Sequence, residues 1–157
     1  MTATRDITTF DDLFALISYL CDLVATRMRK YKVRGYGVHI DLRSHELNHK
    51  SKQRKLVSPT QTGSEIAKVA FDLAKSVWNC SPPLRTVTVS VFDLIPSDSH
   101  EQLGMFDFED KKQEKLELAI DQIRAKFGKD KIMFACSMGK DFIYDKTDDE
   151  DFLPFKR

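Results

Sequence analysis

The sequence predicts an α+β domain: a small antiparallel or mixed β-sheet with helices packed on one face, followed by a C-terminal helix–strand extension. Two observations predict it. Segments whose apolar residues recur with a helical period alternate along the chain with segments whose apolar residues recur every second position. Two of the strand-like segments are joined only by a short polar turn, as in a hairpin. With 157 residues, 41% hydrophobic and 31% charged, the chain is long enough to bury a core as one domain with a tail. The reading assigns residues 1–137 to the domain and the acidic residues 138–157 to a loosely ordered tail.

A fragment of strand at residues 4–8 precedes the first helix. Thr9 opens that helix in the manner of a capping box, with Asp12 three residues on. Leu13, Leu16, Ile17, Leu20, Val24 and Met28 then keep helical spacing to about Tyr31. The period changes at Val38-His39-Ile40-Asp41-Leu42-Arg43, a half-buried strand. Residues 44–51 read as a polar turn, and residues 52–58 as a short return strand stopped by Pro59. Ile66, Val69, Ala70, Leu73 and Val77 mark a second amphipathic helix over 62–78, which Ser81-Pro82-Pro83 breaks. Residues 85–92 are the clearest strand, with Val87, Val89 and Val91 facing one way and Thr86, Thr88 and Ser90 the other. Leu116, Ala119, Ile120, Ile123 and Phe127 predict a third helix over 111–127, ended by Gly128, and residues 131–136 a last strand. One sheet face is left open, carrying hydroxyl residues on one strand and basic residues near the hairpin.

Composition narrows the function. No apolar run reaches the roughly 18 residues that span a bilayer, and residues 1–5 carry no signal-peptide pattern, so no membrane partner and a cytoplasmic location are expected. Cys21, Cys80 and Cys136 are isolated on apolar segments, which suits buried reduced thiols and neither a disulfide framework nor a zinc site. The net charge of +1 hides an asymmetry. Arg27, Arg29, Lys30, Lys32, Arg34, Arg43, Lys50, Lys52, Arg54 and Lys55 crowd one stretch, opposed there only by Asp41 and Glu46. Acids dominate the tail at Asp148-Asp149-Glu150-Asp151. The first region favours a polyanion, unless it is simply a solvated basic surface.

Gln102-Leu103-Gly104-Met105-Phe106 lies in a polar loop at about 97–110, between Leu94-Ile95-Pro96 and the charged start of the third helix. Apolar residues placed there have little core to join and read as anchors for another protein's pocket, the alternative being a loop that folds back on its own domain. The pentapeptide resembles the glutamine-leucine-x-leucine-phenylalanine motif by which bacterial polymerases and repair proteins dock on the sliding clamp. Met105 replaces the second leucine, and Gly104 the usual serine or aspartate.

Three stretches, in this order, carry a wider resemblance. They are Arg34-Gly35 leading into the 38–42 strand, the basic return strand Lys52-Gln53-Arg54-Lys55-Leu56 ending at Ser58-Pro59-Thr60, and the run from Leu84 through Gln102-Phe106 to Ile123-Arg124-Ala125-Lys126-Phe127-Gly128. Over roughly residues 5–137 the chain resembles the little-finger domain at the C-terminal end of bacterial Y-family translesion DNA polymerases. The similarity is to the UmuC- and DinB-like branch of Gram-positive UV-damage-repair type.

The resemblance implies a domain that lays its sheet on primer-template DNA and holds phosphates without reading bases, in DNA repair and SOS mutagenesis. Arg34, His39, Arg43, Lys52, Arg54, Lys55, Thr86, Thr88 and Ser90 are its candidate DNA contacts, and Gln102, Leu103, Met105 and Phe106 its candidate clamp contacts. Which faces Lys52 and Arg54 occupy stays open, because Leu56 shares their parity. No catalytic residue, cofactor or small-molecule ligand is expected in this stretch. The Mg2+ ions and carboxylates of phosphoryl transfer belong to the catalytic core of the polymerases it resembles, so the intact protein, and not this fragment, would be the nucleotidyltransferase.

Two alternatives remain at this point. His45-Glu46-Leu47-Asn48-His49 fits the H-E-x-x-H signature of zinc peptidases, whose chemistry requires a helix that brings both imidazoles to one face. The alternating residues before it predict a hairpin tip instead, with no third ligand evident and no metal expected. The other alternative is a stand-alone adaptor that binds the clamp or DNA.

Overall fold

A computed structural model describes residues 1–97, 107–128 and 131–140, the side chains of 107–111 excepted. The elements run β1 (Thr2–Ile7), α1 (Phe10–Lys30), β2 (Val33–Ser44), β3 (His49–Thr60), α2 (Gly63–Val77), β4 (Leu84–Pro96) and α3 (Asp107–Phe127), then a turn of 3-10 helix at Ala135–Ser137. The four strands form one sheet in the order β1-β4-β2-β3, and every pairing is antiparallel. The expected α+β class is what is found.

The core lies between this sheet and α1 and α2. Val38, Ile40 and Leu42 of β2 and Val87 and Val89 of β4 meet Leu13, Leu16, Ile17, Cys21 and Ala25 of α1 and Ile66, Ala70 and Leu73 of α2, all buried. The alternation of these valines with Thr86, Thr88 and Ser90 is the pleat itself, the hydroxyl set pointing to the uncovered side. Thr9 caps α1 as expected, its Oγ1 accepting the Asp12 amide at 3.2 Å. The Asp12 carboxylate is taken by Arg5 and Lys140. Beyond α2, Trp78 is buried against Phe10 at 5.5 Å between ring centroids, and its Nε1 donates to the Pro82 carbonyl at 2.7 Å. Of the three cysteines only Cys21 is fully buried, and burial pushes its thiol pKa well above the ordinary value; Cys80 and Cys136 are half-buried.

Three expectations are corrected. The turn is shorter than residues 44–51, and the return strand does not stop at Pro59: β3 starts at His49 and runs to Thr60. Proline is tolerated because β3 is an edge strand and Pro59 falls in a bulge, where the partners step from Lys55–Gly37 to Thr60–Gly35. Residues 131–136 form no strand; the carbonyl of Ile132 is bound by Arg124, and Ala135–Ser137 makes a turn of helix instead.

α3 packs by its other side. An apolar period ordinarily marks the packed face of a helix, yet Leu116, Ile123 and Phe127 are 52%, 39% and 59% exposed while Glu117 is 4% exposed. The helix lies along α1 by its polar face. Arg29 donates to Glu117 at 2.5 Å and to Asp121 at 2.6 Å, Thr26 donates to Asp121 at 3.1 Å, and Arg124 pairs with Asp22 at 2.6 Å. Glu117 also accepts the Gly63 amide at 2.9 Å and the Ser64 amide at 3.3 Å, satisfying open donors at the start of α2. Burial disfavours the charge on Arg29, but the bond to Asp121 and the charges of Asp121, Glu117 and Asp22 hold its pKa above the ordinary value. The apolar face of α1 is already spent on the sheet and α2, so only a charged stripe was left for α3 to meet.

Candidate nucleic-acid interface

Strand register decides which side chains share the uncovered face. Directly opposed residues of antiparallel strands point the same way. The triplets on the open side are Arg43 with His49 and Thr86, Asp41 with Ser51 and Thr88, His39 with Gln53 and Ser90, and Gly37 with Lys55 and Phe92. β1 extends the face, with Thr2 opposite Thr86 and their hydroxyl oxygens 3.4 Å apart. The result is a hydroxyl-rich strip with Arg43 and Lys55 as its arginine and lysine cations.

The intervening triplets point to the helices: Leu42 with Lys50 and Val87, Ile40 with Lys52 and Val89, and Val38 with Arg54 and Val91. Lys52 and Arg54 therefore leave the sheet on the helix side, although both are exposed because β3 overhangs the core. Lys52 reaches the end of α2, donating to Ser76 Oγ at 2.9 Å. Arg34 has the same parity as Val38 and pairs with Glu114 of α3 at 3.1 Å. Of the sequence-predicted DNA contacts, the fold brings together His39, Arg43, Lys55, Thr86, Thr88 and Ser90, and places Arg34, Lys52 and Arg54 on the other side. Sequence reasoning did not single out Thr2, Ser51 and Gln53 for this face. The parity of Ser51 and Gln53 with Lys55 was the available signal, but it needed the register to become informative.

Within the open face Arg43 stands out chemically. Its Nε is buried and has no hydrogen-bond partner among the described residues, although the arginine lies between His49 and Thr86. A buried donor left open is costly unless a ligand or water meets it. Lys55 is exposed and bonded to Asp93 at 2.8 Å, an interaction that raises its pKa. Asp41 is the one acid among the opposed triplets, and it lies 3.2 Å from His49 Nδ1. Backbone carbonyls and amides of the central strands are spent on the ladder, so contacts from this face come from side chains.

The H-E-x-x-H segment is a hairpin turn and not a helix. Leu47 has a positive φ of 67°, Ser44 O accepts the Leu47 amide at 3.0 Å, and His49 already belongs to β3. His45 lies 3.9 Å from Glu46 and His49 pairs with Asp41, so the two imidazoles have different partners. Among the described residues, no three His, Cys, Asp or Glu side chains gather as a metal site. Gln102, Leu103, Met105 and Phe106 lie outside the described residues, as do residues 141–157 of the tail. Among the described residues, no helix is long and apolar enough to cross a membrane.

Residues 1–105 match the impB/mucB/samB family C-terminal domain. The chain belongs to that family. The resemblance to the C-terminal domain of Y-family polymerases is thereby borne out. Its relatives are DNA polymerases. It is 35% identical over 131 residues to DNA polymerase IV of Acetivibrio thermocellus, covering 82% of this chain and 33% of that protein. With DNA polymerase IV of Pelotomaculum thermopropionicum it shares 30% identity, over 88% of this chain and 34% of the other. With DNA polymerase IV 1 of Halalkalibacterium halodurans it shares 31%, over 95% of this chain and 35% of the other. The chain thus spans about a third of the length of the curated relatives it matches.

Proposed function

We propose that this domain holds primer-template DNA by its phosphates against the open face of the sheet, as the little-finger part of a translesion polymerase acting in DNA repair and SOS mutagenesis in the cytoplasm. The observation that carries the reading is Arg43: a guanidinium with a buried, unpartnered Nε, on the same face as the hydroxyl side chains of Ser51, Thr86, Thr88 and Ser90. Thr86, Thr88 and Ser90 let a phosphate backbone approach closely, and Arg43 and Lys55 add charge without reading bases. Indifference to sequence is what a lesion-bypass enzyme needs. Polymerisation itself would reside in a catalytic core with its Mg2+, to which this domain contributes grip on the duplex. Fluorescence anisotropy with a labelled primer-template tests the reading. Weak, salt-sensitive binding, lost on combined reversal of Arg43 and Lys55 to glutamate, is expected; binding that survives the reversal would remove the assignment.

The second half of the proposal is docking on the sliding clamp through Gln102, Leu103, Met105 and Phe106. The sequence supports it: an isolated glutamine-leucine-glycine-methionine-phenylalanine run between two polar stretches. Gln102 would bond the rim of the clamp's groove, and the apolar side chains would fill it. Gly104 adds backbone entropy lost on docking and Met105 fills a leucine site loosely, so affinity is modest. The tether to DNA compensates through effective concentration. Phe106→Ala is expected to cost about 2 kcal/mol or more in clamp binding, with little change in melting temperature. A destabilised variant whose parent shows no clamp binding would support the fold-back loop instead.

A further inference from the structure

The reversed packing of α3 leaves an apolar stripe with nothing on it among the described residues. Leu116, Ile123 and Phe127 project outward with Ile120 half-buried between them, at spacings of four, three and four residues, a continuous seam along one side of the helix. One border of the seam is the packed polar face. The other is lined by the exposed Lys112, Lys115 and Lys126, the last with its Nζ 5.3 Å from the centre of the Phe127 ring.

We infer that this seam is the docking site for the chain's own C-terminal segment, with Phe152, Leu153 and Phe155 on the apolar stripe and Asp148-Asp149-Glu150-Asp151 against the lysines. Three observations select this occupant. The first is charge: the segment joins an acidic run directly to Phe-Leu-Pro-Phe, matching a stripe bordered by cations. A second copy of α3 packed antiparallel would instead set lysines against lysines. The second is reach. α3 runs antiparallel to α1, from Glu117 at Arg29 to Arg124 at Asp22, and the chain continues to Lys140, whose Nζ bonds Asp12 Oδ1 at 2.7 Å. The far end of the seam, near Arg29, is about 26 Å along α1 from Asp12. The stretch from Lys140 to Phe152 spans up to about 40 Å when extended. The third is tethering, which presents the segment at an effective concentration that a free partner rarely reaches. Docking covers the stripe in the isolated chain and makes α3 a two-sided helix, ionic towards α1 and apolar towards the tail.

Photo-crosslinking in the full-length chain tests this, with p-benzoylphenylalanine in place of Phe155. Irradiation is expected to link position 155 within one chain to peptides carrying residues 116–127. The link should be lost in Ile123→Asp and weakened in Lys112→Glu/Lys115→Glu, with unchanged circular dichroism because all three positions are exposed. Should Ile123→Asp alter the fold, the lysine variant alone decides. Crosslinks confined to other parts of the chain, no crosslink, or a covalent dimer in place of the intramolecular product would each overturn the inference, the last in favour of self-association.

Discussion

Neutralising Arg43 should change how strongly salt weakens DNA binding, and by an amount the open face fixes. Among the opposed residues of that face two carry full positive charge, Arg43 and Lys55, so on the proposed reading about two phosphates would be neutralised there, giving a slope of log affinity against log salt of about −1.8. Between 50 and 200 mM salt that slope weakens binding about 12-fold. Arg43→Gln leaves one contact, a slope of about −0.9, and a loss of about 3.5-fold over the same range. The substitution should not unfold the domain, since Arg43 Nε makes no hydrogen bond that would be lost. Arg54→Gln is the matched control: it removes a charge of the same kind from the helix side of the neighbouring strand. Anisotropy titrations of a labelled primer-template across a salt series, on both variants, give the slopes. An Arg43→Gln slope equal to the parent's, or an equal drop in both variants, would refute confinement of the contacts to the open face.

Removing the carboxylate in Glu117→Ala leaves Arg29 without one of its two acids and uncaps α2, and should cost about 3 kcal/mol in urea unfolding; an unchanged midpoint would mean that α3 contributes nothing to the body. Burial opposes ionisation of Asp12, yet the bonds and charges of Lys140 and Arg5 outweigh it and hold its pKa below the ordinary 3.8. Its stabilisation is therefore present above that value and lost as the pH falls through the lower folded value. Asp12→Asn should be less stable than the parent at pH 7, and the gap should close in acid below pH 3.8, as followed by thermal melts in a pH series. Gly37 lies beneath the Phe92 ring, which a Cβ would displace, so Gly37→Ala should destabilise by about 1–3 kcal/mol in chemical denaturation.

Much of this protein is written locally. The period of Leu13, Leu16 and Ile17 made α1 and buried those residues, Thr9 set its start, and the alternation of Val87, Val89 and Val91 with Thr86, Thr88 and Ser90 told which residues of β4 share a side. Those signals suffice because hydrogen bonding within a turn and the pleat of a strand depend on neighbours only. Pro59 misled because a proline ends a strand only where its missing amide is needed, and an edge bulge does not need it. The face of Lys52 and Arg54 required the register with β2, a long-range pairing that parity within β3 leaves undetermined. For α3, the period correctly grouped Leu116, Ile123 and Phe127 on one side, but grouping does not say which side meets the body. That was decided by Asp22, Thr26 and Arg29, some ninety residues earlier in the chain, which together present a charged stripe that Glu117, Asp121 and Arg124 satisfy. Here the face that pairs the charges of α1 outweighed the apolar one, because a buried charge left unpaired is costly, and that choice exists only once the two helices lie side by side.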